Sequence, residues 1–163
     1  MKKSLRLTLA AVLLGVAFFT QALPAGAAGS TIHVDTAADN TTADSECTLR
    51  EALVNAHNNA ATHSECEAGI ADDEIVFDGN YTITLGSQLP VINSEITITG
   101  NGSANTIIEA NAAAFTATYR VLELGGAGIL TLDGVTIRHG NCAGTCATNT
   151  NSGGGIYSLF GQL

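Results

Sequence analysis

A chain of 163 residues is long enough for one domain built round one core. It sets six Lys and Arg against fifteen Asp and Glu, a net charge of −9, with 45% hydrophobic residues. That balance excludes a nucleic-acid binder, which needs clustered basic side chains to neutralise phosphates, and favours cations or neutral ligands over polyanions.

Residues 1–28 read as a secretory signal peptide. Lys2, Lys3 and Arg6 make a basic start, Leu7 to Phe19 an almost unbroken apolar run, and Ala25-Gly26-Ala27 an A-x-A cleavage site. An uncleaved anchor is the alternative, but the run is short for a span of ~20 residues. Loss of the leader leaves Arg50, Arg120 and Arg138 against all fifteen acids, a net charge near −12, and no Lys. No later stretch is apolar enough to cross a bilayer, so no membrane span is expected after signal removal, and the chain is expected to be secreted or displayed at the cell surface.

Thr31 to Asp35 alternates and predicts a first strand, with His33 on its face in a structural role. Residues 36–46 form a polar, acidic loop. A short amphipathic helix follows at Cys47-Thr48-Leu49-Arg50-Glu51-Ala52-Leu53. Leu49, Leu53 and Ala56 share one apolar face. Thr48 and Glu51 have capping-box spacing, in which each side chain bonds the other residue's backbone N–H. The helix is expected to act as a lid on a stack.

Four cysteines in an exported chain point to disulfides. Of the three connectivities, Cys47–Cys66 and Cys142–Cys146 are preferred. The first staples the helix to the loop after it, and the second closes a tight Cys-Ala-Gly-Thr-Cys loop. A zinc site of Cys47, Cys66, His57 and His63 is the rival, but its spacing fits no familiar ligand pattern. The densest acid cluster is Asp72, Asp73, Glu74 and Asp78. Solvated turn acids are the plain reading and a calcium site the sharper one, without the EF-hand spacing. No cofactor other than calcium is suggested.

From Glu74 onward short β-rich runs recur, at 75–77, 81–85, 91–92, 95–99, 106–109, 119–124, 129–132, 135–138 and 155–157. Gly, Asn, Pro or Ser separates them, and no helical period returns. Ile96-Thr97-Ile98-Thr99-Gly100-Asn101-Gly102 is similar to Leu130-Thr131-Leu132-Asp133-Gly134 and to Val135-Thr136-Ile137-Arg138-His139-Gly140-Asn141. Strand-and-corner units at such intervals mark a repeat architecture in which each turn of chain buries its apolar edge on the next. The expected fold is all-β, a parallel β-helix with inward Ile, Val and Leu and outward Thr and Asn. A β-sandwich is the runner-up, but tight hairpin signals are few. The expected organisation is a leader at 1–28, an N-terminal cap at 29–73 and β-helix rungs at 74–163.

Cys47-Thr48-Leu49-Arg50-Glu51-Ala52 resembles the CSLREA motif of exported bacterial and archaeal repeat proteins, with Thr in place of Ser. The resemblance extends over residues 31–140, through Asp73-Glu74-Ile75-Val76-Phe77, Leu89-Pro90-Val91-Ile92 and Ile96-Thr97-Ile98-Thr99-Gly100. It implies a right-handed, single-stranded parallel β-helix of the pectin-lyase-like type, capped by the motif helix. Gly153-Gly154-Gly155-Ile156 also resembles the Gly-Gly-small-Ile repeat of polymorphic outer membrane proteins. The companion Phe-x-x-Asn element is found only upstream, at Phe77-Asp78-Gly79-Asn80. Relatives of this kind run on for more rungs, whereas this chain stops at Gln162-Leu163. A truncated product, or an open last rung that needs more chain or a partner, is therefore expected.

The pectin-lyase-like fold hosts polysaccharide lyases and glycoside hydrolases, so catalysis must be argued from residues. A lyase needs an Arg or Lys base and acids to hold calcium. Arg120 and Arg138 are the available bases, and Glu109, Glu123 and Asp133 are acids that in-register rungs would set on one outer face. His139 beside Arg138 lacks a nucleophile and an orienting acid at defined spacing. Gly100-Asn101-Gly102-Ser103 and Gly125-Gly126-Ala127-Gly128 read as rung corners, not phosphate loops. No residue is assigned a catalytic role. The expectation is a structural, adhesive or glycan-binding protein whose partners are surface glycans or proteins. A carbohydrate-active enzyme and a fragment without function of its own are the alternatives.

Overall fold

The computed structural model describes residues 28–143, 146 and 151–163. All but the last residue of the expected leader therefore lies outside the described residues. The elements in order are β1 (Thr31–Val34), α1 (Leu49–Asn58), β2 (Asp73–Phe77), β3 (Thr82–Thr84), β4 (Glu95–Thr99), β5 (Ile107–Glu109), β6 (Leu122–Leu124), β7 (Ile129–Asp133), β8 (Thr136–Arg138) and β9 (Ile156–Ser158).

The strands form three sheets, ordered β1-β2-β4-β7, β3-β5-β8 and β6-β9. Every strand pairing among the described residues is parallel. Parallel neighbours need a long return of chain between them, which rules out the hairpins of a sandwich. A parallel bridge from Ile92 to Leu124 extends the third sheet, and one from Ile129 to Gln162 brings the chain back to the first. From β2 onward the chain visits first, second and third sheet in cyclic order.

Alternation along each strand turns this order into columns. Ile32, Ile75, Ile98 and Leu132 share one register position on successive strands of the first sheet, and Ile96 pairs with Leu130 beside them. In the second sheet Ile83, Ile108 and Ile137 align. Leu122 pairs with Ile156 in the third. Ile32, Ile75, Ile83, Ile98 and Ile108 are completely buried. Each such side chain contributes roughly 1.5–3 kcal/mol relative to exposure. At the corner between β7 and β8, Gly134 has φ +61°, and a Cβ there would lie 2.7 Å from the Gly100 carbonyl oxygen. Only glycine meets both constraints without strain.

The helix forms where the spacing places it. Thr48 is its N-cap: its hydroxyl accepts from the Glu51 N–H at 3.2 Å, and the Glu51 carboxylate accepts from the Thr48 N–H at 3.1 Å. Asn59, in the left-handed region at φ +49°, ends it. Leu49, Ala52, Leu53 and Ala56 are buried, and the helix lies against β1 and β2. The cap also blunts the free edge of β1, whose unpaired backbone would otherwise invite another strand. The His33 N–H donates to the Glu67 carboxylate at 2.9 Å and the Asp35 N–H to the Cys47 carbonyl at 3.2 Å.

β1 pairs with β2, which begins at Asp73, so the region before residue 74 supplies the first strand of the first sheet. Two details differ from the sequence reading. The run 119–124 is a strand only at Leu122–Leu124; before it, the Tyr119 hydroxyl and the Arg120 guanidinium bond to polar partners. At 91–92 only a bridge at Ile92 forms.

Candidate functional site

Each of the three arginines among the described residues is paired with a carboxylate, and each pair sits at a different part of the fold. Arg50, from the helix, donates from Nε and an NH2 nitrogen to the two oxygens of Asp39 at 2.8 and 2.9 Å. Its NH1 nitrogen donates to the Gln88 carbonyl at 2.9 Å, and NH2 donates also to the Ser87 carbonyl at 3.0 Å. The Gly86 N–H closes the knot on Asp39 at 2.7 Å. The planar fork of arginine suits this bidentate contact, which joins cap, acidic loop and first corner.

Arg138 lies on β8 opposite Glu109 of β5, and Glu109 lies opposite Thr84 of β3. The Arg138 Nε donates to Glu109 Oε2 at 2.7 Å, and the Thr84 hydroxyl to Oε1 at 2.8 Å. His139, at φ +61°, sets Nδ1 2.7 Å from the Asn111 carbonyl oxygen and 3.7 Å from Glu109. Burial alone would raise the Glu109 carboxyl, but the Thr84 and Arg138 hydrogen bonds and the Arg138 and His139 charges bring it below the usual glutamate value.

Arg120 is fully buried, its guanidinium 4.3 Å from the Tyr157 ring centroid. It donates to Glu123 at 2.9 Å, to the Ser152 carbonyl at 3.2 Å and to Cys142 Sγ at 3.3 Å. Gln88 also donates to Glu123, at 3.0 Å. Neither arginine is placed as a lyase base: one is buried and the other is held by a buried carboxylate. Nor do Glu109, Glu123 and Asp133 line one face. They stand on β5, β6 and β7, which belong to three different sheets.

The acid cluster at 72–78 also disperses. Asp73 is buried, and its Oδ1 accepts from the Ser30 N–H and hydroxyl and from the Ile70 N–H. Glu74 accepts from the Thr99 hydroxyl at 2.8 Å. Asp78 faces His33 Nδ1 at 2.7 Å, a bond that raises the His33 pKa, while Asp72 is exposed. Among the described residues no three His, Cys, Asp or Glu side chains converge as metal ligands. Cys47 and Cys66 are bonded to each other, as are Cys142 and Cys146, which removes both thiolates from the zinc alternative.

The first sheet offers the broadest regular outer face. Thr31, Glu74, Thr97 and Thr131 share one outward position, and His33, Val76, Thr99 and Asp133 the next. Hydroxyls and carboxylates hold six of these eight positions, with His33 and Val76 at the other two, at the strand spacing of about 4.8 Å. Sequence reasoning missed two buried polar anchors. Asn55 bonds the His63 N–H and the carbonyls of His63 and Glu67, holding the loop after the helix. Arg120 is the other. The polar Asn55 on a helix otherwise burying Leu and Ala carried a faint signal, and Arg120 carried none.

Comparison with protein-family models, with curated proteins and with solved structures gave no match.

Proposed function

We propose that the chain is an exported, right-handed parallel β-helix of the pectin-lyase-like type with a CSLREA-like cap, serving as an adhesive scaffold that binds neutral surface glycans. The observation that carries this is the outer ladder Thr31–Glu74–Thr97–Thr131 and its neighbour His33–Val76–Thr99–Asp133. Evenly spaced hydroxyl and carboxylate acceptors and donors suit extended, neutral sugar chains. An acidic protein repels polyanions such as pectate, so the ligand class is neutral. The two disulfides support an oxidising, extracellular location. Among the described residues no helix is long and apolar enough to cross a membrane. The lyase alternative asks for an unengaged arginine, and Arg138 is engaged by Glu109.

A glycan array probed with the labelled chain tests the reading. Binding to neutral oligosaccharides is expected, with at least a tenfold loss in Thr97→Val/Thr131→Val. An array without any retained glycan, or binding untouched by that pair of substitutions, overturns it.

A further inference from the structure

We propose that residues 112–116 are a nicking site: an endopeptidase with an apolar primary pocket cuts the chain once, after Phe115, and the two pieces stay assembled as one stack of strands. This goes beyond the adhesive reading and does not depend on it.

The connection from β5 to β6 opens with Ala110-Asn111-Ala112-Ala113-Ala114-Phe115-Thr116-Ala117-Thr118. The stretch carries no charge, so enzymes that read Lys, Arg, Asp or Glu find no side chain there to hold. Phe115 is its one large side chain, and the small neighbours let a protease cleft close on the backbone. Phe115 is 90% exposed, and Ala112, Ala113, Ala114 and Thr116 are exposed with it. Among the described residues no backbone–backbone hydrogen bond involves residues 112–116, and the Ala113 N–H donates to the Asn111 side chain. A cleft that takes its substrate as an added strand needs such unpaired backbone groups. Phe115 also sits at φ +61°, a left-handed conformation that a bulky side chain adopts only under strain. Passing to an extended form relieves that strain.

The ends of the loop are pinned. Ala110 is completely buried, and its N–H donates to the Arg138 carbonyl at 3.1 Å. The Tyr119 hydroxyl lies 2.6 Å from the carbonyl oxygens of both Leu85 and Ala110, and the Tyr119 carbonyl accepts from the Asn141 N–H at 3.0 Å. Tyr119 thus clasps the chain after the tip to the chain before it, and a cut between them leaves the clasp in place. Further on, β7 stays paired with β4 and β8 with β5. Phe160 is exposed too, but its surroundings are tied down. The Ser158 hydroxyl donates to the Gly161 carbonyl at 2.8 Å and the Gln162 N–H to the Gly128 carbonyl at 2.9 Å, so cutting there needs local opening first.

The step is a hydrolysis of the Phe115–Thr116 amide. The oxygen of water joins the Phe115 carbonyl carbon, the C–N bond breaks, and Phe115 is left as a carboxylate. Thr116 departs as an ammonium carrying both protons of the water. Neither disulfide spans the cut, since Cys47–Cys66 lies before it and Cys142–Cys146 after it. Strand pairing and the shared core alone hold the pieces together.

The experiment treats the full oxidised chain with chymotrypsin at a low enzyme ratio, without reductant, and follows cuts among residues 28–163 by peptide mass spectrometry. The first cut is expected after Phe115, at least about tenfold faster than any other. Size-exclusion chromatography of the nicked chain should give one peak where the intact chain elutes, and urea without reductant should part it into two pieces. Phe115→Ala should slow cutting within 112–116 at least about tenfold. A first cut elsewhere, pieces that separate without denaturant, or a rate untouched by Phe115→Ala overturns the proposal.

Discussion

Glu109 Oε2 lies 2.7 Å from Arg138 Nε, and the two residues are register partners on neighbouring parallel strands. The pair is lopsided: the Glu109 side chain is 3% exposed and that of Arg138 40%. Removing the arginine therefore leaves a buried carboxylate with the Thr84 hydroxyl and, at 3.7 Å, His139. Arg138→Ala is expected to cost about 2 kcal/mol, below the ~3–5 of a fully buried pair because water already reaches the arginine. Urea denaturation measures this, and a loss below about 0.5 kcal/mol, the ordinary range of a surface substitution, is the contrary result.

The same carboxylate sets an acid limit. Its folded pKa is depressed, so its contribution is complete above the usual glutamate value and disappears as pH falls through the lowered one. His33 has the opposite sign. Its folded pKa is raised, chiefly by the Asp78 hydrogen bond, so its contribution is complete below the usual histidine value and is lost as pH rises through the raised one. Thermal midpoints recorded across pH should show the deficit of Arg138→Ala narrowing toward low pH, because the acid-side loss carried by the depressed Glu109 carboxyl shrinks in that variant. In His33→Gln the fall across the histidine range should be missing.

Arg50 predicts a local failure. Arg50→Ala breaks four hydrogen bonds between the helix, Asp39 and residues 87–88, and should cost about 3 kcal/mol, since Asp39 is left buried without its cation. Arg50→Lys should restore little, because an ammonium cannot make the bidentate contact. Hydrogen exchange at the Gly86 amide should quicken in both variants before exchange in β4 does. Unchanged protection at Gly86 would count against the clamp.

The cap position separates hydroxyl from shape. Thr48→Ala removes the acceptor of the Glu51 N–H and should cost about 1 kcal/mol. Thr48→Ser, which keeps it, should fall within a few tenths of a kilocalorie of the parent. Calorimetry of the two variants side by side provides the comparison, and equal midpoints would show that the box contributes nothing.

Local rules were the most legible part of the chain. Thr48 and Glu51 needed only their spacing, and Ile96 to Thr99 only alternation, because each is decided within a few residues. Sheet membership was not legible. Glu109, Glu123 and Asp133 follow one another closely in sequence, yet each has turned a corner from the last. Predicting that requires the length of every corner, and the step from Ile98 to Leu132 is longer than that from Ile75 to Ile98. The role of Arg120 was hidden for the same reason. Its partners Cys142, Ser152 and Tyr157 arrive one full circuit later, so no local pattern announces them.

The connections from the second sheet to the third grow along the chain, from residues 85–91 to 110–121 to 139–155, while the stacked strands stay in step. The strand pairings thus keep their register however many residues separate the second sheet from the third. The tip at Ala112-Ala113-Ala114-Phe115, with Phe115 90% exposed, is therefore the natural place to splice in a foreign peptide and display it.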